Sequence, residues 1–270
     1  MYIAAVILAA GEGKRMKSKH PKVLHEICGK SMINYVLESS KEAGAEKQIV
    51  VIGHKGQSVI DSIDDKEIEF VNQEKQLGTG HAVMQAKEIL QDFNGSVLIL
   101  CGDVPLITPE IIKTMINTQR KKGFAGAVLT TEVRDPSGYG RIIRDSRGNI
   151  EYIVEERDAT PDEKKIKEIN SGTYIFDCEI LLKALEKLNC DNDQGEYYLT
   201  DVVKILGDSG HKVGAVKANN SEELMGINNR KELAKANKIM RFKILDKLMF
   251  EGVTIIDPSQ TYIDADVVIG

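Results

Sequence analysis

Five residues near the start of the chain, Gly11, Gly13, Lys14, Arg15 and Lys22, have the types and spacing to cradle a polyphosphate. They follow the apolar run Tyr2-Ile3-Ala4-Ala5-Val6-Ile7-Leu8 and sit in Ala9-Ala10-Gly11-Glu12-Gly13-Lys14-Arg15-Met16 and Pro21-Lys22. The glycines let backbone amides approach an anion closely, and the cations set positive charge beside those amides. Two common phosphate motifs are excluded. After Gly11 the chain lacks the spacer and Gly-Lys-Ser/Thr of a P-loop, and Met16 stands where a dinucleotide fingerprint needs its third glycine. Gly78-Thr79-Gly80-His81-Ala82-Val83 fails the same test at Val83. A glycine-rich loop after a strand is also an ordinary tight connection, so the reading needs support from elsewhere in the chain.

That support comes from single polar residues at the ends of apolar runs. In Leu100-Cys101-Gly102-Asp103-Val104-Pro105-Leu106 a buried strand breaks at glycine and presents a carboxylate. Mg²⁺ takes few protein oxygens and completes its shell with water and substrate phosphates, so one Asp and one distant amide oxygen suffice. The alternative is an Asp that caps the following turn. Asn228, in Met225-Gly226-Ile227-Asn228-Asn229-Arg230, can present such an oxygen or cap the helix that follows. Gln73 and Thr79 carry the donors and acceptors needed to read the Watson–Crick edge of a base. Glu155 and Asn170, each at or within a buried strand, can hold sugar hydroxyls or an acetamido group.

Other chemistries lack residues. The five histidines show no paired ligand spacing and read as structural or surface groups, and no Ser/His/Asp or Cys/His arrangement is evident. Cys28, Cys101, Cys178 and Cys190 are scattered, without a metal or redox pair, and are expected as reduced thiols. A net charge of −5 argues against a general nucleic-acid surface and turns attention to the local cationic loop, whose partner is a small anion. With no apolar run of membrane-spanning length and no signal-peptide pattern, the expected location is the cytoplasm, away from membranes.

The 270 residues suffice for one large α/β domain, or one with an appendage. Strand patterns at 2–8, 48–52, 68–71 and 96–101 alternate with helical patterns at 31–43, 57–63 and 81–90, the mark of a mostly parallel sheet covered on both faces. Ligands gather at the carboxyl ends of such strands, where Gly11 and Asp103 lie. A helix capped by Thr108 and opened by Pro109 precedes strand patterns at 127–133, 139–143, 150–154 and 172–176, where the sheet widens. Residues 158–167 read as an exposed excursion. From Arg230 to Phe250, Leu233, Ala236, Ile239, Met240, Ile244, Leu245 and Leu248 form a stripe expected to pack on the chain's own core.

Taken in order, these segments, with Gly138-Tyr139-Gly140-Arg141-Ile142, Ile169-Asn170-Ser171-Gly172 and Gln194-Gly195-Glu196-Tyr197-Tyr198-Leu199-Thr200-Asp201, resemble a known family over essentially the whole chain. It is the bacterial bifunctional UDP-N-acetylglucosamine pyrophosphorylase / glucosamine-1-phosphate N-acetyltransferase, in its N-terminal half. The resemblance implies an α/β, Rossmann-like (GT-A-like) nucleotidyltransferase fold and transfer of a uridylyl group from UTP to N-acetylglucosamine 1-phosphate, giving UDP-N-acetylglucosamine. It implies that Leu8, Ala9, Ala10, Gly11, Gln73, Gly78 and Thr79 bind the uridine nucleotide and that Gly140, Glu155, Asn170 and Asn228 hold the sugar side. Asp103 and Asn228 would bind Mg²⁺, and Arg15 and Lys22 would stabilise the triphosphate. Residues 1–229 would form the uridylyltransferase domain, 230–251 a linker helix and 252–270 the first coil of a left-handed β-helix. Without the remaining coils no acetyltransferase half is expected, and the trimer of the longer relatives gives way to a monomer. Such a lone coil should be poorly supported unless it packs on the main domain. Cys101 departs from the tyrosine common before Gly-Asp in the family, which should reshape a pocket wall and spare the metal site. Two other readings stay open: a related nucleotidyltransferase with another base or sugar, and an inactive sugar-nucleotide binder.

Overall fold

A computed structural model describes residues 2–270. Its strands are β1 (Tyr2–Leu8), β2 (Glu26–Ile27), β3 (Lys30–Ser31), β4 (Lys47–Ile52), β5 (Glu69–Asn72), β6 (Gly95–Cys101), β7 (Gly126–Glu132), β8 (Arg141–Arg144), β9 (Ile150–Val154), β10 (Glu168–Asp177) and β11 (Val213–Lys217). Its helices are α1 (Met32–Glu42), α2 (Gly56–Ile60), α3 (Thr79–Met84), α4 (Lys87–Leu90), α5 (Pro109–Lys122), α6 (Cys178–Leu185), α7 (Asp201–Asp208) and α8 (Arg230–Phe250). The main sheet runs β11-β7-β10-β6-β1-β4-β5, with β8 and β9 attached beside β10. All pairs along it are parallel except those of β10, which runs antiparallel to both β6 and β7. The α/β fold with a mixed, mostly parallel sheet therefore stands as expected.

The central strands are apolar throughout because both faces are covered. Alternate side chains of β1 go to opposite cores. Ile3, Ala5 and Ile7 pack with Val36 and Leu37 of α1 and Ile112 and Met115 of α5. Ala4 and Val6 pack on the other face with Leu181 of α6 and Val202, Val203 and Leu206 of α7. This double packing holds the ends of β1 and β6 rigid, and Gly102 N donates to Leu8 O at 2.9 Å where the two strands stop.

Several expectations need adjustment. The single helix expected over 81–90 is two pieces, α3 and α4, because Gln85 N and Ala86 N bond three residues back, to Ala82 O and Val83 O, and tighten the turn. Tyr139 lies in a turn and not in a strand, its amide donating to Pro136 O. β10 starts at Glu168, well before Gly172, and its register with β7 shifts between Asn170 and Tyr174. Ser31 and Thr108 hold the N-cap positions of α1 and α5 but make no side-chain cap bond. No pattern in the sequence analysis marked α6, α7 or β11.

α8 meets its packing expectation in part. Ala236 joins Ile27, Met32, Leu106 and Ile227 in a small separate core, and Leu245 and Leu248 are buried, whereas Leu233, Ile239, Met240 and Ile244 are half-buried. Residues 252–270 form neither helix nor strand, yet they rest on the body of the protein. Ala265 N donates to Cys28 O at 2.9 Å, Lys30 pairs with Asp266 at 2.7 Å, and the Arg241 guanidinium lies 4.2 Å from the Tyr262 ring centroid.

Candidate active site

The loop after β1 is shaped by glycine at two close approaches. At Gly13 the backbone has φ +62°, and a Cβ there would lie 2.6 Å from Lys22 Cβ, so only glycine lets the loop fold back onto Lys22. At Gly53 a Cβ would lie 2.6 Å from Ala10 O, which keeps the strand end pressed against its neighbour. Met16 is buried beneath the loop, and Arg230 at the start of α8 donates to Met16 O at 3.2 Å.

Four side chains from distant parts of the chain converge there. Lys22 Nζ makes an ion pair with Asp103 Oδ2 and donates to Asn228 Oδ1 at 3.2 Å. Arg15 Nη2 donates to the same Asn228 oxygen at 2.9 Å. Asn228 is free to accept because the helix cap falls to its neighbour: Asn229 accepts from Lys231 N and Glu232 N. Glu232 in turn accepts from Asn228 N at 2.6 Å and fixes its backbone. Lys14 makes no bond to this cluster and pairs instead with Glu12 at the exposed rim.

Two adjoining cavities share Lys22. One, of about 210 Å³, is lined by Gly13, Lys14, Arg15, Lys22 and Asn228 together with Glu12. The other, of about 260 Å³, is lined among others by Leu8, Ala10, Gly11, Gln73, Gly78, Thr79, Cys101 and Asp103. Gln76 and Glu196 also line the second cavity, and sequence reasoning did not single them out, although Gln76 lies between Gln73 and Gly78 and Glu196 lies in the quoted segment Gln194 to Asp201. Ala9 is buried behind it, its amide committed to Val51 O. Larger clefts of about 550 and 610 Å³ lie beside β11, around Phe124, His211 and Lys212, and contain none of these residues.

The far wall of the second cavity is clamped. Gly78 has φ +105°, and a Cβ there would lie 2.5 Å from Tyr197 O. Gly80 N donates to Tyr197 O, and Thr79 Oγ1 accepts from Leu199 N. Gln73 is 3% exposed and uses its amide nitrogen internally, toward Gly78 O and His81.

Gly140, Glu155 and Asn170 do not line that cavity. They form a cluster of their own, linked to it through Cys101. Asn170 N donates to Gly140 O, and a Cβ on Gly140 would sit 3.5 Å from Glu155 Oε2. Asn170 Nδ2 donates to Tyr174 Oη at 2.6 Å, and its Oδ1 accepts from Gly172 N at 3.0 Å. Cys101 Sγ donates to Gly172 O at 3.5 Å. Burial pushes the Cys101 thiol up to about 12 and raises the Glu155 carboxyl above its ordinary value, even though the Thr200 hydroxyl donates to it at 3.1 Å.

The donor set fits a hard divalent cation. Asp103 Oδ2 and Asn228 Oδ1 already converge on one positive charge, the Lys22 ammonium. Among the described residues there is no group of three or more His, Cys, Asp or Glu suited to a metal, so this would be a one-carboxylate site that leaves most positions to water and substrate oxygens.

A family model described as nucleotidyl transferase matches residues 4–224. The bifunctional protein GlmU of Acetivibrio thermocellus is 51% identical over 268 residues, covering 99% of this chain and 58% of that protein. That of Clostridium tetani is 51% identical over 269 residues, covering all of this chain and 59% of that protein. The chain thus spans somewhat under three-fifths of the length of these curated relatives. A crystal structure of UDP-glucose pyrophosphorylase complexed with UDP-glucose shares the fold, with a TM-score of 0.72 at 21% identity over 90% of this chain and 100% of that one. With its mostly parallel sheet and this match over most of its length, the chain belongs to the nucleotidyl transferase family.

Proposed function

We propose that this chain transfers a uridylyl group from UTP to N-acetylglucosamine 1-phosphate, releasing pyrophosphate and UDP-N-acetylglucosamine. The observation that carries the reading is the convergence of Arg15, Lys22, Asp103 and Asn228 beside a cavity lined by Gly11, Gln73 and Thr79. Its support from relatives is the match along the whole chain to the bifunctional GlmU proteins.

In this reading a phosphate oxygen of the sugar phosphate attacks the α-phosphorus of UTP. The new P–O bond forms as the bond to the β-phosphate oxygen breaks, and that electron pair leaves with pyrophosphate. The nucleophile is anionic at neutral pH, so no general base is needed, in keeping with a site that offers no His or Cys dyad. Lys22 exchanges its Asp103 carboxylate for triphosphate oxygens, and Arg15 turns from Asn228 to do the same, each making charge-assisted hydrogen bonds. Asp103 and Asn228, released from Lys22, would hold Mg²⁺, which when bound neutralises charge on the reacting phosphates. Leu8, Ala9, Ala10, Gly11, Gln73, Gly78 and Thr79 hold the uridine nucleotide, with Ala9 acting through the backbone of the strand end. Gly140, Glu155 and Asn170 hold the N-acetylglucosamine group, with Cys101 between the two halves.

We further propose that 1–229 is the catalytic domain, 230–251 a linker helix and 252–270 the first coil of a β-helix, and that a chain of the relatives' full length is trimeric. Among the described residues no helix is long and apolar enough to cross a membrane, and UTP as substrate agrees with a cytoplasmic location.

Pyrophosphate release from each of the four NTPs with N-acetylglucosamine 1-phosphate, with and without Mg²⁺, tests the proposal. Release confined to UTP and Mg²⁺ is expected. Turnover with a different NTP would assign the chain another nucleotide, and binding of UDP-N-acetylglucosamine without turnover would make it an inactive binder.

A further inference from the structure

His81 lies outside the residues assigned above, yet its ring meets Gln73. Gln73 Nε2 lies 3.0 Å from Gly78 O and 3.0 Å from His81 Nδ1. A carbonyl oxygen only accepts, so the Gln73 atom beside Gly78 is the NH₂ group and the orientation of the amide is decided there. The second hydrogen of that NH₂ needs an acceptor at His81, which makes Nδ1 the lone-pair nitrogen and Nε2 the one that carries hydrogen. On the far side of the ring Gln85 Nε2 lies 3.3 Å from His81 Nε2 while donating to His81 O at 2.9 Å. That approach sets N–H against N–H and is the longer of the two, so the Gln73 contact decides the tautomer. Gln73 Oε1 has no donor among the described residues and is not sealed off, and Gln73 lines the 260 Å³ cavity.

We propose that His81 is a specificity-determining positioning residue. Together with Gly78 O it locks the Gln73 amide with its oxygen toward the cavity, so the site accepts a base that presents N–H at that edge and rejects one that presents a lone pair. Uracil offers N3–H to such an oxygen. Cytosine offers the N3 lone pair at the same point, which repels the oxygen and leaves two acceptors unpaired. The inference rests on the reading of this cavity as the base pocket.

The test compares kcat/KM for UTP and CTP, with N-acetylglucosamine 1-phosphate, in the wild-type chain, His81→Leu and His81→Asn. Leucine removes the acceptor, while asparagine sets an amide oxygen near the position of Nδ1. Removing one neutral hydrogen bond that holds the amide should lower the UTP:CTP ratio about tenfold in His81→Leu. His81→Asn should stay close to wild type. A wild-type preference for UTP that survives unchanged in His81→Leu overturns the proposal and leaves the function intact. A wild type that shows no preference for UTP removes the base-pocket reading itself. ¹⁵N NMR of the unsubstituted protein supplies a readout that needs no variant to fold: Nε2–H with a bare Nδ1 is expected at His81, and Nδ1–H overturns the proposal.

Discussion

Replacing Asp103 with alanine removes the only carboxylate that, among the described residues, reaches Lys22 Nζ, and should separate catalysis from folding. The Asp103 and Lys22 side chains are 19% and 15% exposed, so their ion pair is neither solvated nor fully buried. Breaking a fully buried pair costs about 3–5 kcal/mol; with partial exposure and Asn228 still accepting from Lys22, about 1–2 kcal/mol is reasonable here. For a domain of this size that lowers Tm by roughly 2–6 °C, and the protein stays folded at 25 °C. Catalysis should suffer far more. If Asp103 holds the metal charge that offsets the reacting phosphates, its loss removes an interaction worth about 4 kcal/mol or more, roughly a thousandfold in kcat/KM. The assay is pyrophosphate release across a Mg²⁺ titration, with a thermal melt of the same sample, and Asp103→Asn should retain only a small part of the activity because it keeps the shape and loses the charge. A folded Asp103→Ala protein within tenfold of wild type at saturating Mg²⁺ would refute the assignment of the metal to this carboxylate.

Gly13→Ala places a Cβ 2.6 Å from Lys22 Cβ at φ +62°, a local strain of about 1–3 kcal/mol; Tm should fall by several degrees and, in the protein still folded at 25 °C, the KM for UTP should rise at least tenfold. Glu155 has a folded-state pKa raised by burial, so the native state favours the protonated carboxyl. The stability this gives is fully present below the unfolded-state pKa and is lost as pH rises through the raised folded-state value. Glu155→Gln should therefore raise Tm relative to wild type at pH 8 and lose that advantage at pH 4, which thermal melts at the two pH values check. With its thiol at about 12, Cys101 should resist iodoacetamide at pH 8 under conditions that alkylate the exposed Cys190, as read by peptide mass spectrometry. Cys101→Tyr should change kcat/KM by less than about tenfold, since the residue faces the cavity edge against a glycine; a hundredfold loss would mean that this wall grips the substrate.

Much of the site was legible because its residues stand where buried strands stop. Gly11 after β1 and Asp103 after β6 are polar or flexible breaks in apolar runs, and the pairing of those two strands sets them side by side. Asn228 carried a weaker signal, since an Asn before a helix usually caps it; here Asn229 takes the cap, and that is a matter of backbone position that spacing does not reveal. Gly140, Glu155, Asn170 and Asn228 are expected to act together; the structure clusters the first three and sets Asn228 beside Lys22, and the separation of the three from the Lys22 cavities depends on the late strands folding back antiparallel. His81 reads in the sequence only as a structural or surface histidine, because the Gln73 amide it meets lies eight residues away and only the turn at Gly78 closes that gap.

The sequence alone determined the class of fold, through continuous apolar strands alternating with amphipathic helices, and the glycine-rich cationic loop after β1, whose local geometry is set within a few residues. Local physics suffices for these because periodicity and backbone freedom are properties of short segments. The tertiary structure alone decided that β10 reverses direction within the sheet, that Lys22 lies between Asp103 and Asn228 across separations of 81 and 206 residues, and that residues 252–270 lean on the β2–β3 hairpin. Those features depend on which distant surfaces bury each other and which charges meet, and such pairings are selected by the packing of the whole chain.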